Sequence, residues 1–235
     1  ALRSAAEMNR HFGGIDRAAA YERKAAEILR DVYERCWNEE RQLFANSGDH
    51  VEFSQHANAM WALAARDGEF PVDRRDLVER ILFDRTLIPC STYFRFYLHE
   101  AMRVVGLGDR YLDMMGPWEA MIADGLTTFA ESPNDPRSDC HAWSSSPNYH
   151  FLSLIAGVQP AEPGFASVRI EPRLGPLSVV LGKVPHPDGD IQFYFYRDSE
   201  GEIKGWVGLP DGLPGECIVG DQRLPIEAGA RVNIP

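Results

Sequence analysis

The spacing of apolar residues changes near residue 158, and this change limits the possible folds more than any other feature. From Ile15 to Ala156 the apolar residues recur at helical spacing. From Phe165 to Ile234 short runs rich in Val, Ile, Phe and Tyr are separated by turn signals. The sequence therefore predicts an α+β protein with two domains, a helical one over residues 1–158 and a β-rich one over residues 159–235.

The helical segment alternates between two kinds of helix. Three predicted helices are apolar on nearly every side, which is typical of inner helices, and three are amphipathic, which is typical of outer helices. The apolar helices are predicted over 53–66, 92–105 and 144–156, and the amphipathic ones over 15–37, 74–84 and 110–124. Such alternation predicts part of an (α/α)6 toroid. Because consecutive helix pairs repeat the same direction, the N-terminal ends of the inner helices are expected to share one mouth.

The β-rich segment has the period-two alternation of strands. Ile191, Phe193 and Phe195 alternate with more polar residues, and Asp188-Gly189 and Asp211-Gly212 are hairpin-turn signals. Strands are predicted over 167–170, 177–184, 190–196, 203–209, 216–219 and 231–234. The prediction for this segment is an antiparallel β-sandwich.

Composition and motifs exclude several kinds of partner. The net charge of −11, from 35 acidic and 24 basic residues, argues against nucleic acid as the main partner. A membrane span is not expected, because no run of ~18 apolar residues exists. The four cysteines lack CxxC spacing, and no dinucleotide or P-loop motif occurs, so neither a metal nor a cofactor is expected.

Ala1–Arg10 shows no leader pattern, which leaves the compartment open. Because the chain begins with Ala, it is expected to be trimmed or a fragment.

Two short segments carry the best candidate chemistry. Gly125–Glu131 (GLTTFAE) is followed ten residues later by His141-Ala-Trp143, before the last inner helix. Glu131 can activate water, His141 can bond a hydroxyl group and Trp143 can stack on a sugar ring. The small and apolar neighbours of Glu131 predict a raised pKa. The alternative is a solvated or capping Glu131, a structural His141 and a core Trp143.

Two further residues begin inner helices and would face the same mouth. Gln55 can bond a substrate hydroxyl group, or it can serve as a contact at the start of its helix. Tyr93 can stack on a ring, or it can belong to the core.

These segments resemble a known enzyme family. Ser54–Ala59 (SQHANA), Ser91–Phe96 (STYFRF), Gly125–Glu131 and Cys140–Pro147 (CHAWSSSP) are similar, in this order, to the C-terminal half of glycoside hydrolase family 78, the bacterial α-L-rhamnosidases. The stretch from Gly157 onwards is similar to the entry into that family's C-terminal β-domain. The resemblance covers nearly the whole chain.

The resemblance implies inverting hydrolysis of a terminal α-L-rhamnose. The Thr-Thr-x-x-Glu position implies that Glu131 is the general base, and the HAW segment implies that His141 lies in the sugar pocket. Inversion needs a second carboxyl group as general acid, which the family carries in the first half of its barrel. The expected partners are a rhamnose-containing glycoside or oligosaccharide and either the missing N-terminal half or another copy of the chain. The alternative function is a non-catalytic, carbohydrate-binding or degenerate module.

Overall fold

A computed structural model describes residues 1–132 and 136–235 of the chain. The described residues form two compact units, Ala1–Cys90 and Ser91–Pro235. The fold is mixed α+β, as predicted. The predicted domain boundary at 158/159 differs in position from this division and stays a prediction, as do the partial toroid and the sandwich. Among the described helices, none is long and apolar enough to cross a membrane.

Unit 1, Ala1–Cys90, consists of helices and one short hairpin. Its elements are α1 (Leu2–His11), α2 (Ile15–Cys36), β1 (Trp37–Asn38), β2 (Leu43–Phe44), α3 (Gln55–Ala64) and α4 (Arg74–Phe83). The Ser54 hydroxyl group caps α3 by accepting a hydrogen bond from the Ala57 amide at 3.2 Å. Phe44 and Trp61 stack in the core with ring centroids 4.4 Å apart. The apolar side chains of α3 thus pack into the core of unit 1.

The helical part of unit 2 is less regular than predicted. Its elements are α5 (Arg95–Val104), a 3-10 helix (Gly108–Met114), α6 (Gly116–Ala123), a 3-10 turn (Ala142–Ser144), α7 (Ser146–His150) and a π-helical turn (Phe151–Ile155). The single helix predicted over 144–156 is therefore three short pieces of different pitch. A π turn leaves backbone and side chains in unusual positions and often lies near functional sites.

The β part of unit 2 contains two four-stranded sheets. The strands are β3 (Val158–Pro160), β4 (Val168–Ile170), β5 (Val179–His186), β6 (Gly189–Arg197), β7 (Ile203–Gly208), β8 (Gly215–Val219), β9 (Gln222–Ile226) and β10 (Arg231–Ile234). The strand orders are β10-β7-β6-β5 and β3-β4-β8-β9. Both sheets contribute residues to one buried apolar cluster.

One pair of strands departs from the predicted antiparallel arrangement. β4 and β8 pair in parallel, with Ile170 opposite Cys217. Parallel neighbours need a long crossover connection. The chain between β4 and β8 supplies it by forming β5, β6 and β7 of the other sheet. The wholly antiparallel prediction was therefore wrong for this pair.

Candidate functional site

Two backbone hydrogen bonds join the two candidate segments of unit 2. The Glu131 amide donates to the Ser138 carbonyl oxygen at 2.9 Å, and the His141 amide donates to the Phe129 carbonyl oxygen at 2.7 Å. The segment that ends at Glu131 therefore lies beside the segment that leads to His141. Residues seven and twelve positions apart in the sequence are thus hydrogen-bonded to each other.

Buried side chains fix both segments to the helices. The Thr92 hydroxyl group, at the start of the turn before α5, donates to the Glu131 carbonyl oxygen at 2.8 Å. The indole Nε1 of Trp118 on α6 donates to the Ser144 carbonyl oxygen at 2.7 Å. Both donors are buried, so water competes little with these hydrogen bonds. The backbone near Glu131 and His141 is thereby held in place.

Three rings form a partly exposed row next to this backbone. The Trp143 ring lies 4.6 Å from the His141 ring and 5.1 Å from the Tyr93 ring, measured between centroids. Trp143 is 43% exposed and Tyr93 is 42% exposed, so neither is a core residue. Partly exposed aromatic rings offer a stacking surface for a sugar ring. The structure thus brings Tyr93, Glu131, His141 and Trp143 into one region.

The carboxylate of Glu131 is paired with Arg137. The side chain of Glu131 is only 11% exposed, whereas that of Arg137 is 81% exposed. Arg137 Nε donates to Oε2 at 2.9 Å, and Nη2 donates to Oε1. This hydrogen-bonded guanidinium lowers the pKa of Glu131, although desolvation acts in the opposite direction. The predicted raised pKa of Glu131 was wrong, because the sequence motif did not reveal its cationic partner.

Gln55 lies in unit 1 and its amide group is engaged. Its Nε2 donates to the Ile81 carbonyl oxygen and its Oε1 accepts from the Cys90 amide, both at 2.8 Å. The side chain is buried. These contacts favour the structural alternative, in which Gln55 secures the start of α3.

Three residues that shape the site were not predicted from the sequence. Thr92 and Trp118 anchor its backbone, and Arg137 pairs with its carboxylate. The only signal for Arg137 in the sequence is a basic residue six positions after Glu131, which is too common to be specific. Within residues 1–132 and 136–235, no group of three His, Cys, Asp or Glu side chains is placed to hold a metal ion.

Neither a protein-family model nor a curated protein matches the chain. Eight chains of solved structures do match. A GH78 family rhamnosidase of Bacillus sp. GL1 has a TM-score of 0.79 and 22% identity, over 94% of this chain and 25% of its own. The α-L-rhamnosidase of Aspergillus terreus has a TM-score of 0.80 and 16% identity, over 97% of this chain and 28% of its own.

An α-L-rhamnosidase from Dictyoglumus thermophilum has a TM-score of 0.77 and 17% identity, over 99% of this chain and 29% of its own. The chain thus spans between a quarter and a third of the length of these three proteins. The resemblance noted in the sequence is confirmed in three dimensions: nearly the whole chain has the fold of one part of these α-L-rhamnosidase structures.

Proposed function

We propose that the chain is part of a glycoside hydrolase that removes terminal α-L-rhamnose with inversion at the anomeric carbon. The observation that carries the proposal is the sheltered carboxylate of Glu131 beside the row of His141, Trp143 and Tyr93, in a fold that matches solved rhamnosidases. A sheltered carboxylate next to a stacking surface fits the hydrolysis of a sugar.

In this mechanism Glu131 is the general base. Its carboxylate takes a proton from a water molecule, and the water oxygen forms a bond to the anomeric carbon while the bond to the leaving oxygen breaks. A carboxyl group outside this chain, in the first half of the barrel, donates a proton to the leaving oxygen. Trp143 and Tyr93 stack on the sugar, and His141 bonds one of its hydroxyl groups. Gln55 has no role in this mechanism, because its side-chain amide is hydrogen-bonded to backbone groups.

The ion pair with Arg137 is compatible with this role. Each carboxylate oxygen has two lone pairs, so Glu131 can accept a water hydrogen while it remains bonded to Arg137. A lowered pKa keeps the carboxylate ionised at neutral pH, as a base must be. The cost is a weaker base, since basicity falls with pKa.

The test uses the protein expressed from its whole reading frame and an aryl α-L-rhamnoside. Glu131→Gln should lower kcat by about 10²–10⁴-fold, the usual contribution of a general base. Glu227→Gln, the same change at an exposed glutamate on the β part, is the matched control. NMR of the first product should show the β-anomer. Unchanged turnover in Glu131→Gln would remove Glu131 from the base role.

A carbohydrate-binding module without catalysis is the second candidate. The observation that favours it is the hydrogen bonding of both Glu131 oxygens to Arg137 beside a partly exposed aromatic row. Calorimetry with L-rhamnose separates the two candidates. Binding that Trp143→Ala abolishes, in a full-length protein without hydrolytic activity, would support the module.

A further inference from the structure

The strongest unassigned feature is a pair of adjoining cavities in unit 2, away from the Glu131 segment in sequence. The larger, named the outer cavity, has a volume of about 400 Å³, and the smaller, named the inner cavity because Ser153 and Leu154 in its lining are buried, has about 40 Å³. Their linings share Arg103, Gly106, Gln159 and Glu171. The outer volume lies within the range of small-molecule sites, and the inner one has room for a water-sized group.

The lining of these cavities is rich in arginine. Arg103 and Arg169 line the outer cavity, and Arg103 and Arg173 line the inner one. Glu171 accepts hydrogen bonds from Arg169 at 3.0 Å and from Arg173. Even with Glu100, which is not in either lining but pairs with Arg103 at 2.8 Å, the three arginines outnumber the two carboxylates. A positive cleft is unusual in a chain of net charge −11.

Donor groups remain unused around the cavities. Among the described residues, the guanidinium groups of Arg169 and Arg173 bond only to Glu171, which leaves most of their N–H groups without a protein partner. Arg169 is 45% exposed and can reach a ligand. A guanidinium group presents five donors in a planar fork that matches the oxygens of a carboxylate or phosphate.

A buried hydroxyl group in the lining of the inner cavity also lacks a hydrogen-bond partner among the described residues. Ser153, in the π turn, lines this cavity and is only 4% exposed. Its Oγ has no hydrogen-bond partner among residues 1–132 and 136–235. A buried hydroxyl group without a partner is costly unless a ligand or water completes it. The amide of Gln159 holds this turn by donating to the Ser153 carbonyl oxygen at 2.7 Å.

We propose that these cavities form a binding site for the oxyanion of a small polar molecule, a carboxylate or a phosphate. One anionic oxygen enters the inner cavity beside Ser153 and Arg173. The other oxygens bond to Arg169, and the body of the ligand occupies the outer cavity. The site is independent of the rhamnosidase proposal, because it uses none of the residues assigned to that reaction.

Calorimetry on the full chain at low ionic strength tests the site with three probes. These are inorganic phosphate, D-gluconate, and D-glucitol, which has the gluconate skeleton without the carboxylate. We expect saturable binding of phosphate, gluconate or both, and none of glucitol. Phosphate alone would identify a phosphate site, and gluconate alone a carboxylate site. No binding of either anion, or equal binding of glucitol, would overturn the proposal.

Two variants and a matched control locate the binding. Arg169→Gln should weaken anion binding by about tenfold or more, since hydrogen bonds to charged groups are among the stronger ones. Ser153→Ala should weaken it with little change in folding, because it removes a hydroxyl group without a protein partner. Arg223→Gln also breaks an arginine–glutamate pair on the same unit, at 3.2 Å from Glu216, and should leave binding unchanged. Equal effects of Arg169→Gln and Arg223→Gln would overturn the assignment.

Discussion

In the proposed mechanism, the ion pair with Arg137 sets the pH range in which Glu131 acts as a base. Its guanidinium group bonds to both carboxylate oxygens and lowers the pKa of Glu131. Removing this cation in Arg137→Gln should raise that pKa. Glu131 would then become protonated at a higher pH, so the acidic limb of the kcat profile should move to higher pH.

The pH profile of rhamnoside hydrolysis measures this effect. In Arg137→Lys the acidic limb should move less than in Arg137→Gln, because lysine keeps the positive charge but lacks the planar guanidinium group. Arg110→Gln, which breaks the ion pair between Arg110 and Asp113 in the same unit, should leave the profile unchanged. An acidic limb that does not move in Arg137→Gln would separate the ion pair from catalysis, while the role of Glu131 would still rest on Glu131→Gln.

His99 on α5 is a buried histidine that should make the stability of the fold depend on pH. It is fully buried, and neither ring nitrogen has a hydrogen-bond partner among the described residues. Burial lowers its pKa well below the ordinary value, and the nearby His150 and Arg95 add to this. Below pH ~6.5 the His99 ring binds a proton in the unfolded chain but stays neutral in the folded one. The free energy of unfolding should therefore fall as pH falls, by at most ~1.4 kcal/mol per pH unit.

His99→Phe tests this effect because it keeps a ring at the same place. The His99 ring packs edge-on against Tyr111 at 4.8 Å, a contact that Phe preserves. Stability of the variant at pH 7.5 should be within about 1 kcal/mol of the parent, since no hydrogen bond is lost. Urea denaturation at pH 7.5 and 5.0 should show a smaller loss on acidification than in the parent. The same loss in both proteins would disprove the role of His99, and the exposed His11→Phe is the control.

Among the helices and strands, those with a clear hydrophobic periodicity of their own were predicted from the sequence. Helix α2 and strand β10 were predicted within one residue, because amphipathic spacing and alternation mark them clearly. Strand β9 was missed because Pro225 argues against a strand, yet β9 lies at a sheet edge, where proline is tolerated. Helix α1, strand β3 and the β1–β2 hairpin were missed too. Two-residue and three-residue strands are fixed by their partners and leave almost no periodic signal.

The candidate site shows the same division between local and long-range information. Glu131, His141 and Trp143 were predicted to lie together because their segments are close in the sequence. The engagement of Gln55 and the pairing of Glu131 with Arg137 depend on hydrogen bonds that no residue pattern records. The motifs therefore indicated the place of the site but not its charge balance.

Gly157 joins the π turn to β3, and its backbone sets a strict requirement. It has a φ of +72°, and a Cβ atom there would lie 2.0 Å from the Glu171 carbonyl oxygen. Gly164 has nearly the same φ, +73°, with no atom within 4 Å of such a Cβ. Gly164→Ala should cost about 1–2 kcal/mol from backbone strain alone. Gly157→Ala should cost more than ~3 kcal/mol, because the clash adds to the strain.

Chemical denaturation of both glycine variants measures this difference. Because the two positions have nearly the same positive φ, Gly164→Ala is the control for strain. Equal losses in the two variants would show that the chain near Glu171 moves to accept the new methyl group.

For the molecule as a whole, the sequence and the structure begin the C-terminal unit at different residues. The sequence predicts a domain over 159–235, whereas the contacts within the structure define a unit over Ser91–Pro235. A cut at 158/159 passes through β3 and removes Ala156 and Val158 from the buried cluster shared by the two sheets. It also separates Arg103 from Glu171 across the arginine-lined cavities.

We therefore expect residues 91–235 to fold alone and residues 159–235 to fold poorly. Both lengths lie within the usual range for domains, so size does not decide between them. The longer piece should unfold cooperatively, with a near-UV circular dichroism spectrum of packed aromatic rings. The shorter one loses core residues and a strand of its sheet, and it should bind a hydrophobic dye or lose near-UV signal. Cooperative unfolding of 159–235 at equal stability would restore the boundary that the sequence predicts, because β3 would then be dispensable to the core.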